Sequence, residues 1–92
     1  MYKIVDAKEL TTNIYLFEVE AKRVAKSCLP GQFVIVRTGE DGERIPLTIS
    51  DYNREKGTIT IVVQTIGAGT KEMRDLKAGD FFHDFVGPLG QP

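Results

Sequence analysis

Two short segments hold residue types at spacings that could do chemistry. The first is IGAGTKEM, residues 66–73, in which Gly67, Ala68, Gly69 and Thr70 make a tight turn between an apolar run and a helix-like stretch. Such a turn offers backbone N–H groups and the positive end of a helix dipole to an anion, which makes it a candidate phosphate cradle. It nearly matches the dinucleotide pattern G-x-G-x-x-G, but Glu72 stands in the third glycine's place and no β-α-β unit surrounds it. It also lacks the G-K-[ST] ending of a P-loop. A glycine turn that merely links strand to helix accounts for the same residues equally well. The second segment is RIPLTIS, residues 44–50, where Arg44 opens a strand and the hydroxyl of Thr48 follows four residues later. The planar guanidinium fork suits a pyrophosphate because it bonds two oxygens at once. Pro46 has no backbone donor, so the strand is expected to be an edge or irregular there, with room for a flat ligand against it. An edge strand with a surface arginine remains the plainer alternative.

Other chemically capable residues are better read as structural. His83 lies between Phe82 and Asp84 on a strand with no partner for acid–base work. Cys28 stands before Leu29-Pro30 as a small buried residue or a free thiol. With one Cys and one His, the chain can build neither an internal disulfide nor a zinc or iron–sulfur site of its own. Tyr2, Tyr15 and Tyr52 read as packing residues, and Tyr52 follows the RIPLTIS strand closely.

Short apolar runs separated by turn signals dominate the chain. Residues 2–10 form a first candidate strand and 13–20 a second, with Tyr15, Phe17 and Val19 alternating on one face and Thr11, Thr12 and Asn13 turning between them. QFVIVRT follows Pro30-Gly31 and is apolar on both faces over Phe33 to Val36, which implies burial on both sides or cover by a ligand. A fourth strand runs from Arg44 to about Ser50, and TITIVVQTI, the most β-branched stretch, is expected at the centre of the sheet. The one helical signal is KEMRDLKAG, about two turns long, with Thr70 as cap and Gly79 as terminator. DFFHDFV makes a sixth strand before Gly87-Pro88-Leu89-Gly90. The expectation is an all-β domain: a six-stranded antiparallel Greek-key barrel with one short helix.

Composition narrows the function classes. Ninety-two residues suffice for one domain, and 41% hydrophobic with 27% charged residues place it among ordinary folded chains rather than disordered ones. Twelve basic against thirteen acidic side chains leave a net charge of -1 and no basic block, so nucleic acid is an unexpected partner. No apolar run approaches the roughly eighteen residues of a membrane span, and the charged N-terminus is unlike a signal peptide. A soluble protein in a reducing, cytoplasmic setting is expected.

Taken in order, RIPLTIS, IVVQTIGAGTKEM and GDFFHDFVGPLG resemble the flavin domain of the ferredoxin-NADP reductase superfamily over essentially the whole chain. Within it the likeness is to dihydroorotate dehydrogenase electron-transfer subunits, NADH-dependent ferredoxin-NADP oxidoreductase small subunits and hydrogenase gamma subunits. The resemblance implies an FAD site. The family motif Arg-x-Tyr-Ser/Thr, or Arg-Pro-x-Ser, would place Thr48 near flavin N5, Leu47 against the isoalloxazine ring and Pro46 at the branch's proline. The family arginine would fall at Ile45, whereas this chain's arginine is Arg44. Val62, Val63 and Gln64 would run along the ribityl chain and ring edge. Gly69 and Thr70 would receive the pyrophosphate, with Gly67 and Ala68 completing the turn.

The same resemblance implies a parent flavoprotein oxidoreductase that passes electrons between NAD(P)H and an iron–sulfur centre. Its nicotinamide-binding domain and a [2Fe-2S] domain lie outside these residues, so 1–92 is expected to be the FAD-binding β-barrel of a longer protein, inactive alone in the complete reaction. Its partners would be that nicotinamide domain and a redox subunit, and the exposed former interface would favour self-association. The competing reading is a non-catalytic small β-barrel that binds or docks, of the oligonucleotide-binding or translation-factor-like kind.

Overall fold

The computed structural model describes residues 1–67 and 70–91. Alternating apolar residues pair into seven strands: β1 (Tyr2–Thr11), β2 (Ile14–Glu20), β3 (Phe33–Arg37), β4 (Ile45–Asn53), β5 (Thr58–Gln64), β6 (Phe81–Phe82) and β7 (Asp84–Leu89). They follow the order β6-β1-β2-β5-β4-β3-β7, every pairing antiparallel, with β5 at the centre as its β-branched sequence predicts. Within that order β2-β5-β4-β3 is a Greek key, since three hairpin-linked strands lie beside one from earlier in the chain.

One strand more than expected arises because DFFHDFV breaks at His83. Phe82 pairs with Tyr2 on β1, whereas Asp84 pairs with Arg37 on β3, and the His83 N–H donates to the Arg37 carbonyl at 2.8 Å. The two edge strands are thus consecutive in sequence, and this stretch of chain nearly closes the barrel. Ile4, Phe17, Val19, Val34, Val36, Ile49, Ile59, Ile61, Val63, Phe82 and Phe85 fill the interior. Phe82 meets Phe17 edge-on with centroids 5.9 Å apart, the geometry that ring quadrupoles favour.

Helical content also departs from expectation. A six-residue helix α1 (Lys22–Ser27) lies where the sequence gives no helical signal, with Val24, Ala25 and Cys28 turned inward and Lys22, Arg23, Lys26 and Ser27 outward. That inward set has a helical spacing, too short for composition to announce. Arg54 holds the helix end: its guanidinium donates to the carbonyls of Ala25, Lys26 and Cys28 at 2.9, 2.6 and 3.0 Å and lies 4.6 Å from the Tyr52 ring centre. KEMRDLKAG, by contrast, forms only a five-residue 3-10 helix (Lys71–Asp75). Only Met73 of those five is buried, and Leu76 is already extended, so no second turn gains enough burial to persist.

Cys28 is fully buried beneath α1. Burial pushes its thiol above the ordinary value, against the opposing pull of the Arg54 guanidinium. The folded chain therefore keeps that proton to higher pH than the unfolded chain. The associated stability is complete below the ordinary thiol range and is lost as pH rises through it towards the raised value. Urea midpoints compared at about pH 7 and about pH 10 should fall further in the wild type than in Cys28→Ala; equal falls would contradict this.

Candidate functional site

The site begins with a change of partner along β4. Residues Ile45 to Thr48 pair with Val36 to Phe33 of β3, whereas pairing with β5 starts only at Ile49, opposite Ile61. From that point β4 and β5 part as a fork, because nothing on β5 pairs with residues 45–48. Pro46 sits on the open arm, where a residue with no N–H leaves no ladder bond broken. The irregularity expected from its sequence is therefore present.

Alternation assigns the fork's side chains. On β4, Ile45, Leu47 and Ile49 turn inward, and Pro46 and Thr48 are exposed. On β5, Val63 is 1% exposed and belongs to the core, while Val62, 37% exposed, and Gln64 face outward. The outward surface is thus Pro46, Thr48, Val62 and Gln64. Leu47 is half-buried against the core, and Val63 can offer a ligand only its backbone. Among the described residues, the Thr48 hydroxyl and the Gln64 amide have no side-chain hydrogen bond to protein.

Antiparallel pairing brings the start of β4 and the end of β5 to one end of the barrel, and the glycine turn leaves from there. Ala68 and Gly69 lie outside the described residues. Around them, Thr70 and Lys71 donate their N–H groups to the Gly67 carbonyl at 3.1 and 3.2 Å, and the Thr70 hydroxyl reaches the carbonyls of Gly67 and Gln64 at 3.0 and 3.2 Å. Thr70 occupies the cap position without capping. Its backbone is helical rather than extended, which turns the hydroxyl back into the loop. Five residues of 3-10 helix carry a smaller dipole than the two turns expected, so the helix itself offers an anion less than the sequence suggested.

Arg44 lies at the same end, 61% exposed, with Nη1 3.7 Å from Asp84 Oδ2. Arg37 Nε approaches that oxygen to 2.8 Å, yet its buried N–H makes no directed hydrogen bond, so the contact is ionic. The Asp84 carboxylate thus stands between the two guanidinium groups of Arg37 and Arg44, and Glu40, Asp41 and Glu43 lie in the loop just before Arg44. Thr38 Oγ1 donates to Glu72 Oε2 at 2.9 Å, tying the β3–β4 loop to the 3-10 helix. An open hollow of about 590 Å3 between β1, α1 and β7, lined by Tyr2, Lys22, Arg23, Val24 and Val86 among others, shares no residue with the fork. His83 is half-buried on its strand, and the described residues contain no cluster fit to hold a metal ion. No helix among them is long and apolar enough to cross a membrane.

The fork thus offers an exposed hydroxyl on one arm, an exposed aliphatic side chain on the other, an unpaired strand edge, and a glycine turn leaving from the end that carries Arg44. The seven-stranded Greek-key barrel defines the class. The chain belongs to the oxidoreductase FAD-binding domain family, which it matches over residues 1–92. It is 62% identical over its full length to an uncharacterized protein in the adh 3' region of Clostridium beijerinckii, and covers 31% of that relative. It is 41% identical over 90 residues to the dihydroorotate dehydrogenase B (NAD(+)) electron transfer subunit homolog of Thermotoga maritima, covering 98% of this chain and 32% of the relative. A solved chain of NADH-dependent reduced ferredoxin-NADP oxidoreductase, described for flavin-based electron bifurcation, superposes with a TM-score of 0.96 at 40% identity, over 100% of this chain and 33% of that one. The chain spans about a third of the length of these relatives. These likenesses support an FAD-binding oxidoreductase domain over a docking or oligonucleotide-binding barrel.

Proposed function

We propose that the β4–β5 fork is the flavin seat of an oxidoreductase that moves electrons between NAD(P)H and an iron–sulfur protein or partner subunit. The observation that carries it is the parting of β4 from β5 after Ile49 and Ile61, which exposes Pro46, Thr48, Val62 and Gln64 together. Bound there, FAD supplies the redox chemistry, accepting a hydride from a nicotinamide and releasing electrons singly.

The residues' own tasks are positional. Val62 and Pro46 give the ring an apolar bed, the Thr48 hydroxyl offers a hydrogen bond at its reactive edge, and Gln64 faces the polar chain beyond. Gly67 to Thr70 receive the pyrophosphate, and Arg44 adds positive charge to that end without standing at the family arginine's position. A nicotinamide-binding domain and a [2Fe-2S] domain complete the parent, consistent with relatives three times as long, and 1–92 alone does not carry out the complete reaction.

Two substitutions test the seat. Val62→Asp puts a carboxylate against the ring on a side chain that already faces solvent, so the circular dichroism spectrum should be unchanged while FAD affinity, read by quenching of flavin fluorescence, falls at least about tenfold. Unaltered affinity would remove Val62 from the site. In the whole protein, Thr48→Val should slow flavin reduction by NADH in stopped-flow absorbance about three- to tenfold, the worth of one hydrogen bond, with FAD affinity nearly constant. A wild-type rate would show that the hydroxyl does not act at the ring.

A further inference from the structure

Three carbonyls around the glycine turn, those of Gln64, Thr65 and Gly67, are occupied by donors of the same chain. The Gln64 and Gly67 carbonyls lie within reach of the Thr70 hydroxyl, and Gly67 also accepts the N–H groups of Thr70 and Lys71. The Thr65 carbonyl between them accepts from Arg74 Nη2 at 3.0 Å. Thr65 is fully buried and is fixed from its other side as well, its N–H and hydroxyl reaching the Asn13 carbonyl at 2.7 and 3.2 Å. Asn13 itself sits at φ 63 in the β1–β2 turn, a left-handed conformation that asparagine tolerates better than most residues. Arg74 is carried on the 3-10 helix, whose Met73 is locked in the core. A chain of contacts therefore runs from the β1–β2 turn through Thr65 to Arg74, and brackets the glycine turn on both sides.

We propose that Arg74 is a positioning residue for the pyrophosphate end of the flavin site. An anion is repelled by carbonyl oxygens and attracted by N–H groups, so a phosphate-binding loop must keep its carbonyls turned away. A donor within the chain holds such a carbonyl there. Thr70 and Lys71 do so for Gln64 and Gly67, and Arg74 does so for Thr65 with a charge-assisted bond, which is stronger than one between neutral groups. Loss of that bond frees the Thr65 peptide to rotate and lets the turn that follows it drift. Arg74 acts through the Thr65 backbone, not by touching the ligand.

The inference rests on the reading that Gly67 to Thr70 receive the pyrophosphate, and the test separates the two. FAD and riboflavin share the ring system, but only FAD carries the pyrophosphate. Their affinities for the full chain and for Arg74→Met are measured by fluorescence quenching, together with amide hydrogen exchange at Thr70 and Lys71 in the flavin-free protein. Wild-type protein should favour FAD strongly over riboflavin. In Arg74→Met that preference should shrink about tenfold with riboflavin affinity unchanged, and the Thr70 and Lys71 amides should exchange faster before any ligand is added. A wild-type chain that binds both flavins equally would overturn the placement of the pyrophosphate itself. A strong wild-type preference that survives Arg74→Met would overturn the role of Arg74 alone. A reduced preference with unchanged exchange in the flavin-free protein would also overturn it, because direct contact with the phosphates would then be the cause. Should Arg74→Met fail to fold, Arg74→Lys is read in its place, with the preference again expected to shrink because the ammonium lacks the guanidinium's reach and fork.

Discussion

A β-strand has two edges, and β4 uses them in different places. Its first half is laddered to β3 and its second half to β5, so over Ile45 to Thr48 the edge towards β5 stays open. This one constraint places a proline inside the sheet without breaking a hydrogen bond, exposes Thr48 and Val62 on facing arms, and sends the β5 exit loop out at the end that carries Arg44. The core fixes where the fork opens, since Ile49 and Ile61 are buried opposite each other at its vertex. Sliding β4 by one residue would turn Thr48 inward and expose Ile49, and sliding β5 would do the same to Val62 and Ile61.

The rest of the barrel holds that arrangement still. β5 is gripped by β2 over its whole length, from Ile14–Gln64 to Glu20–Thr58. β3 supports β4 from the other side and is braced in turn by β7. Barrel closure through residues 81–89 includes the His83 backbone N–H donated to the Arg37 carbonyl, at the point where the chain passes from β1 to β3. Arg37 then shares Asp84 with Arg44, so the closing strand also anchors the charged end of the site. Fold and site are coupled through backbone pairing more than through side-chain contacts.

Much of this was legible in the residues, for reasons that can be named. TITIVVQ carries both the period-2 alternation and the β-branching of a central strand, and Pro46 announces an unpaired edge by its chemistry alone. The split of DFFHDFV was not legible, because the switch from β1 to β3 at His83 is a matter of partner, and partners are long-range. Helix α1 gains its stability from Val24, Ala25 and Cys28 packing on the core and from Arg54 at its end, neither of which shows in local propensity. The 3-10 helix failed in the opposite direction: its sequence favours helix, but only Met73 finds burial. At the site, the resemblance indicated the segments, while alternation decided which side chains face out, and it turned Leu47 and Val63 towards the core. Arg74 left no mark in the sequence because its partner is a carbonyl that every residue possesses.

Membership of the FAD-binding domain family says what is bound, and the fork is where we propose that it sits. The most direct measurement is a map of backbone amide shifts by nuclear magnetic resonance as FAD is added to the isotope-labelled chain. The account predicts that the large perturbations gather on Ile45, Leu47, Thr48, Val62, Val63, Gln64 and the loop from Gly67 to Lys71, with little change along α1 and β7. Perturbations concentrated instead around Tyr2, Lys22, Arg23 and Val86, at the open hollow on the other side, would contradict it.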